Sequence, residues 1–164
     1  MKNTKVKQIT TAAIVASLYT VLTYVSTLMG LSNGAVQLRF SEALCVLPVF
    51  TPYAVPGLFI GCMISNIIAG GVLLDVVFGS VATLIGAVLT RWVYRKRGNV
   101  ILSLFMPVVS NVLIVPWMIK FAYGADGTVP FLMLTVGIGE VLSCVVLGYA
   151  LYKVLQGKSK FLFK

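Results

Sequence analysis

The number of helices in this chain depends most on residues 38–71, which read LRFSEALCVLPVFTPYAVPGLFIGCMISNIIAGG. The stretch is predominantly apolar, and it is too long for one membrane-crossing helix, which needs about 20 residues. Pro52 and Pro56 interrupt it, and a proline removes a backbone donor and disfavours helix in the residue before it. We therefore predict a turn at these prolines, between a short helix at 41–50 and a second helix at 55–69.

The composition excludes a soluble domain. Of the 164 residues, 59% are hydrophobic and 10% are charged, whereas soluble proteins carry about 25% charged residues. The chain lacks the polar surface that would cover a globule in water. We therefore predict an all-α integral membrane protein.

The remaining apolar runs are long enough to cross about 30 Å of hydrocarbon. Together with the two helices around the prolines, they predict a compact bundle of six transmembrane helices in a single domain, residues 1–164. The helix at 41–50 is too short to cross alone, and such irregularity is tolerated where protein or a cavity surrounds it. The four additional predicted helices lie at 9–29, 75–94, 100–121 and 130–155.

The basic residues predict the orientation. With six crossings, Arg39 and Lys120 lie on one side of the membrane, and the remaining 11 of the 13 lysines and arginines lie on the side of the termini. Since cytoplasmic segments carry an excess of Lys and Arg, both termini are predicted to be cytoplasmic in a multi-pass protein of the cell membrane. We interpret the basic clusters as topology signals and contacts with lipid headgroups, so no nucleic-acid partner is predicted.

The sequence lacks the residues that several kinds of catalytic, metal-binding and nucleotide-binding site require. The chain has no histidine, which rules out a serine–histidine nucleophile and an imidazole metal site. Its cysteines, Cys45, Cys62 and Cys144, are far apart without a C-x-x-C spacing, which argues against a disulfide framework or a thiolate zinc site. We interpret them as small buried apolar side chains and predict no metal ion. Since no Walker-type phosphate loop is present, the chain does not bind ATP by that route.

One carboxylate is predicted near the middle of the bilayer. Glu140 lies about ten residues into the last predicted helix, at a depth where a charge costs roughly 2.5–3.5 kcal/mol on insertion scales. Three explanations stay open at this point. Glu140 is protonated, it is hydrogen-bonded to Asn111 in the preceding helix, or it contacts a ligand.

Other polar side chains are predicted in the outer half of the same bundle. Glu42 and Asp75 each begin a helix, where the helix dipole favours a carboxylate, and Arg39 is three residues from Glu42 and could pair with it. Their convergence also predicts a cavity for a small polar heterocycle that opens outward above Glu140. The residues predicted to converge are Gln37, Arg39, Glu42, Asn66, Asp75 and Trp117.

Several of these residues lie in motifs that resemble a known family, the QueT-type queuosine-precursor transporters, which are substrate-binding (S) components of energy-coupling-factor (ECF) transporters. The resemblance covers nearly the whole chain and is strongest over residues 37–87. Helices five and six match mainly in length and in one acidic position. The matching motifs are QLRFSEAL at 37–44, Leu47-Pro48, Thr51-Pro52, Val55-Pro-Gly57, Gly61-Cys62, Asn66, Asp75-Val-Val-Phe-Gly79 and Ala82-Thr83-Leu84.

The resemblance implies a function and partners. It implies that a six-helix protein captures a 7-deazaguanine, such as queuine or its aminomethyl or cyano precursors, outside the cell. A transmembrane coupling subunit and two ATPase subunits would then drive uptake, so ATP would bind to the partners and no cofactor to this chain. Ala12 and Ala16 are similar to the alanine motif by which S components dock on the coupling subunit.

The chemistry of such a ligand suggests individual roles. A guanine-like edge carries two adjacent N–H donors that one carboxylate can accept together, as it would from Arg, and this role falls to Glu140. The other roles stay open between pairs: Asn66 or Asn111 for the ring carbonyl, Glu42 or Asp75 for an aminomethyl group, and Trp117 or Tyr123 for stacking on the ring.

Three alternative functions differ in what they require. An S component for a different vitamin would have the same fold and the same partners. An intramembrane aspartyl enzyme would need two facing aspartates at depth, and neither Asp75 nor Asp126, the only two aspartates, lies there. A proton or ion pathway through Glu140 would need a second deep carboxylate for a relay, and the sequence offers none.

Overall fold

The structure is a computed structural model that describes residues 2–32 and 36–158. Within these residues the chain is entirely helical and contains no strand. The elements in chain order are α1 (Lys2–Leu28), a 3-10 helix (Phe40–Val49), α2 (Ala54–Ile68), α3 (Leu73–Arg97), α4 (Val100–Ala122), α5 (Val129–Glu140), a π-helical segment (Val141–Leu147) and α6 (Gly148–Gln156).

The chain turns at the prolines, as their positions predict. The 3-10 helix ends at Val49 and α2 begins at Ala54. The helix before the turn has 3-10 rather than α winding, which the sequence did not reveal, and Pro48 lies inside it. Because a 3-10 helix rises about 2 Å per residue, ten residues span roughly 20 Å and do not reach across about 30 Å of hydrocarbon.

Among the described residues, four helices are long and apolar enough to cross a membrane: Lys5–Leu28, Leu73–Arg97, Val100–Ala122 and Val129–Gln156. The last one runs without a break through α5, the π-helical segment and α6. The 3-10 helix and α2 are apolar but shorter, at 10 and 15 residues. The number of six crossings and the cytoplasmic side of the termini therefore stay predictions.

Close contact between α1 and α2 depends on glycine. A Cβ added at Gly57 would lie 2.6 Å from the Ala12 carbonyl oxygen, and one added at Gly61 would lie 2.9 Å from the Ala16 carbonyl oxygen. No side chain fits at these distances, so the two backbones meet directly. This packing is the usual basis of helix association in lipid, where apolar burial alone supplies no driving force.

The two ends of the bundle differ in charge. Asp75 lies in the first turn of α3, and Arg95, Lys96 and Arg97 lie in its last turn. A helix of 25 residues is about 37 Å long, so these groups are on opposite sides of a membrane that α3 crosses. The acidic end is also where α1, α2 and α4 end, and a cavity opens there.

Candidate functional site

A cavity region lies inside the bundle and has two adjacent compartments with shared walls. The outer one has a volume of about 360 Å³, and the inner one has a volume of about 30 Å³. The two compartments share Gln37, Arg39, Asp75 and Val115 in their walls. The outer compartment has the size of a small-ligand site, whereas the inner one is a narrow extension toward Glu140.

Most of the residues that line the outer compartment are polar, and they lie near the ends of α1, α2 and α4, at the start of α3, and in the segment before the 3-10 helix. The Ser32 hydroxyl oxygen is buried and has no hydrogen-bond partner in the part of the chain that the structure describes. A buried polar atom of this kind needs a partner such as a ligand or water. The polar lining consists of Thr23, Thr27, Ser32, Gln37, Arg39, Asn66, Asp75 and Tyr123.

Asp75 and Tyr123 are joined at the mouth of the cavity. The Tyr123 hydroxyl donates to Asp75 Oδ2 at 3.0 Å and accepts from the Val72 backbone N–H at 3.3 Å. Burial, and then the negative charge of Asp75, raises the pKa of the Tyr123 hydroxyl above its usual value. The hydroxyl therefore stays protonated at neutral pH and remains a donor to Asp75.

Arg39 lines both compartments. Its backbone N–H donates to Ser143 Oγ at 3.1 Å, which fixes the start of the 3-10 helix against the last span. Its guanidinium has no hydrogen bond or ion pair within residues 2–32 and 36–158, although Glu42 and Asp75 are close enough to interact with it electrostatically. The pairing with Glu42 that the three-residue spacing allowed is therefore not formed, and the five N–H donors of Arg39 are available to a ligand.

Glu42 lines the inner compartment, but its oxygens already have donors from the protein. Tyr19 donates its hydroxyl to Oε1, and Cys45 donates its thiol to Oε2 at 3.1 Å. The thiol of Cys144 lies 3.8 Å from the same Oε2. With 2% of its surface exposed, Glu42 holds α1, the 3-10 helix and the last span together at the floor of the cavity.

Glu140 ends α5 and faces the inner compartment. Cys144 donates to its Oε2 at 3.2 Å, and the amide of Asn111 is a hydrogen-bonding neighbour. Gly139 lets the backbone at Gln37 approach α5 closely, because a Cβ at residue 139 would collide with the Gln37 carbonyl. The π-helical segment begins directly after Glu140, and such windings are common at functional sites.

Asn66 is anchored at the boundary of the outer compartment. Its amide nitrogen donates to the Asp75 backbone carbonyl at 3.4 Å and to Cys62 Sγ at 3.7 Å. A Cβ at Gly79 would lie 3.0 Å from the same nitrogen, so this glycine leaves room for the amide. The anchored amide nitrogen joins α2 to the start of α3.

The structure does not bring Trp117 to the cavity, and this prediction is corrected. Trp117 is 48% exposed on the outside of α4 and stacks on Phe121, with 6.1 Å between the ring centroids. Tyr123 is the aromatic residue that lines the outer compartment. Two prolines, Pro107 and Pro116, lie inside α4, and helix distortion at proline changes which face a following residue presents.

Ala12 and Ala16 face α2 rather than the outside of the bundle. Ala16 is 8% exposed, and the carbonyl oxygens of both residues lie against the glycines of α2. The exposed small residues of the same turns are Ala13 and Ser17.

Part of the inner wall was not predicted from the sequence. Thr83, Gly79 and Val136 line the inner compartment, and the Thr83 hydroxyl donates to Cys62 Sγ at 3.3 Å. The signal was present, because Gly79 and Thr83 are four residues apart on α3 and one turn from Asp75. That row of small residues lines the cavity as well as packing against α2.

The fold and the site define an all-helical, multi-pass membrane protein with a polar cavity inside its bundle. Residues 9–157 match the model of the QueT transporter family, and the chain belongs to that family. The resemblance found in the sequence motifs is thereby confirmed. Members are transporters rather than enzymes, and the chain is a protein of the plasma membrane.

A curated relative also matches. The chain is 40% identical over 85 residues to the queuosine precursor transporter QueT of Lactococcus lactis subsp. cremoris. The matched region covers 52% of this chain and 50% of the relative, so the match spans about half the length of each protein. No solved structure matches the chain with significance.

Proposed function

We propose that the chain is the substrate-binding component of an ECF importer that captures a queuosine precursor, a 7-deazaguanine such as queuine or its aminomethyl or cyano precursors. The observation that carries this proposal is a polar cavity of about 360 Å³ inside the bundle. Its volume falls in the range of small-ligand sites. The similarity to the queuosine precursor transporter of Lactococcus lactis supports the choice of ligand class.

We place the cavity mouth on the extracellular side. In this arrangement the single domain crosses the membrane six times, with both termini in the cytoplasm. The mouth lies at the end of α3 that carries Asp75, opposite the end that carries Arg95, Lys96 and Arg97. Because basic residues favour the cytoplasmic side, this charge difference supports an outward opening.

The two compartments suggest how a 7-deazaguanine would bind. The ring fits the outer compartment beside Tyr123, and its edge with two N–H donors points through the inner compartment to Glu140. The unpaired guanidinium of Arg39 would donate to the ring carbonyl, and Asp75 would accept from an aminomethyl group near the mouth. Glu42 contributes indirectly, because its oxygens already accept hydrogen bonds from the protein.

A ligand panel tests this function. We expect queuine and its precursors to raise the melting temperature of the detergent-purified protein and to bind in calorimetry, whereas biotin, riboflavin and thiamine do neither. If only one of those vitamins stabilised the protein, the proposed ligand would be wrong, whereas the proposed role as an S component would still hold. A current or pH change in liposomes that contain only this chain would favour the proton or ion pathway instead.

We propose that α1 contacts the coupling subunit of a complex that also contains two ATPase subunits, which bind the ATP. Since Ala12 and Ala16 face α2, the accessible surface of this segment is the one with Ala13 and Ser17. Ala13→Trp should abolish co-purification with the coupling subunit and leave ligand binding unchanged. Ala16→Trp should instead lower the melting temperature of the isolated chain, because its side chain would enter the α1–α2 contact.

Measuring both variants in both assays separates docking from folding. Normal complex yield with Ala13→Trp would remove this face of α1 from the docking surface. Loss of ligand binding in the same variant would show that the substitution disturbs the bundle itself.

A further inference from the structure

Two thiols and a carboxylate meet beneath the inner compartment, from two elements far apart in sequence. Glu42 and Cys45 lie on the 3-10 helix, and Cys144 lies on the π-helical segment of the last span. Their ligand atoms all lie within 4.8 Å of one another, and all three residues are buried. We propose that Glu42, Cys45 and Cys144 form a binding site for a divalent cation that favours thiolate ligands, with Zn²⁺ as the first candidate.

The distances suit a tetrahedral ion. Glu42 Oε2 lies 3.1 Å from Cys45 Sγ and 3.8 Å from Cys144 Sγ, and the two sulfur atoms lie within 4.8 Å of each other. With Zn–S bonds of about 2.3 Å and Zn–O bonds of about 2.0 Å, the edges of a tetrahedron around Zn²⁺ are about 3.3–3.8 Å. The ligand atoms therefore need only small shifts to surround an ion.

Binding of the ion in exchange for the two thiol protons balances in charge and in protons. Without an ion, the thiol protons make hydrogen bonds within the cluster. When a divalent ion binds, both thiols release their protons to solvent and two metal–sulfur bonds form. Two thiolates and one carboxylate leave one net negative charge on the ion complex, and Arg39, which interacts electrostatically with Glu42, offsets it.

Neighbouring residues orient the carboxylate of the proposed metal site and leave a path for the ion. Tyr19 donates its hydroxyl to Glu42 Oε1, which directs Oε2 toward the thiols, in the way that outer hydrogen bonds orient metal ligands. Glu140 Oε2 lies 3.2 Å from Cys144 Sγ and is the candidate for a fourth ligand. Both glutamates line the inner compartment, so an ion can reach the cluster from the cavity.

An ion at this position would tie the 3-10 helix to the last span at the floor of the cavity. The 3-10 helix is too short to cross the bilayer alone, and a metal bridge would fix it at depth. The inference does not require the proposed substrate, because its two thiols are not among the residues that line the compartments, whereas Glu42 and Glu140 also line the inner compartment.

Metal analysis of the full chain tests the site. Detergent-purified protein equilibrated with Zn²⁺ and freed of excess ion should retain one Zn²⁺ per chain, and Cd²⁺ should give a sulfur-to-metal charge-transfer band. Cys45→Ser and Cys144→Ser should lose both signals. Cys62→Ser is the matched control, since Cys62 is also buried and lines the inner compartment, but it is not one of the clustered ligands and accepts hydrogen bonds from Thr83 and Asn66; this variant should keep both signals.

A measurement on the unchanged protein covers the case in which the serine variants fail to fold. Because two protons are released, the apparent affinity for Cd²⁺ should rise about 100-fold for each pH unit while both thiols start protonated. Absence of the charge-transfer band, a flat pH dependence, or equal metal loss in Cys62→Ser would each overturn the site.

Discussion

Replacing Glu140 with glutamine should weaken the binding of a 7-deazaguanine at least tenfold, measured by calorimetry on the detergent-purified protein. The substitution keeps the size of the side chain but exchanges one acceptor oxygen for a donor nitrogen. The amide nitrogen of the glutamine would face an N–H donor of the ring. One hydrogen bond would therefore be lost, and two N–H donors would point at each other. A tenfold change corresponds to about 1.4 kcal/mol, which is within the range for a hydrogen bond to a charged group.

Asp126→Asn is the matched control for this variant. This substitution makes the same change from carboxylate to amide in the exposed loop between α4 and α5. The variant should bind the 7-deazaguanine with the same affinity as the unchanged protein. Unchanged affinity in Glu140→Gln would remove Glu140 from the ligand site. If Asp75→Asn then lost the affinity instead, recognition would shift to the carboxylate that both compartments share.

Gly61→Leu should cause a large loss of stability. Already at the Cβ, the new side chain would lie 2.8 Å from the Tyr19 Cβ and 2.9 Å from the Ala16 carbonyl oxygen. The helices must separate, since backbone atoms cannot rotate away as a flexible side chain does. Overpacking typically costs about 1–3 kcal/mol, and at the upper end we expect the melting temperature in detergent to fall by roughly 6–12 °C.

Gly157→Leu provides the comparison at the C-terminal end of α6. A Cβ at Gly157 meets no atom within 4 Å, and the backbone there has φ of −72°, which any residue adopts. The melting temperature should therefore change little. An equal fall in both variants would mean that added apolar volume, rather than the α1–α2 contact, determines the loss.

The positions of the helices could be predicted because local residues determine them. Pro52 and Pro56 end one helix and begin the next, and Gly98 ends α3 with a φ of +66°, a conformation that favours glycine. The winding of the 3-10 helix and of the π-helical segment could not be predicted. Both are apolar runs with ordinary α-helical composition, so tertiary contacts determine their winding.

The chemistry of the site could be predicted in part. A polar side chain inside an apolar span indicates a partner or a cavity, and this argument selected residues that line the two compartments, such as Asn111 and Asp75. It could not determine which face of α4 Trp117 occupies. The cysteines are buried and free, as interpreted from the sequence, but the proximity of residues 45 and 144 could not be predicted, because only the packing of the 3-10 helix on the last span makes them neighbours.

The π-helical segment has a consequence for the last span as a whole. In an α-helix, residues three or four positions apart lie on the same face. A π-helical segment has more residues per turn, so it rotates the faces of all residues that follow it. Glu140 and Gly148 lie on opposite sides of that segment, so counting in fours does not place them on one stripe. The direction of the half that faces the cavity and the direction of the half that contains α6 are thus set separately, and a transplanted span would keep both directions only if Val141–Leu147 moved with it.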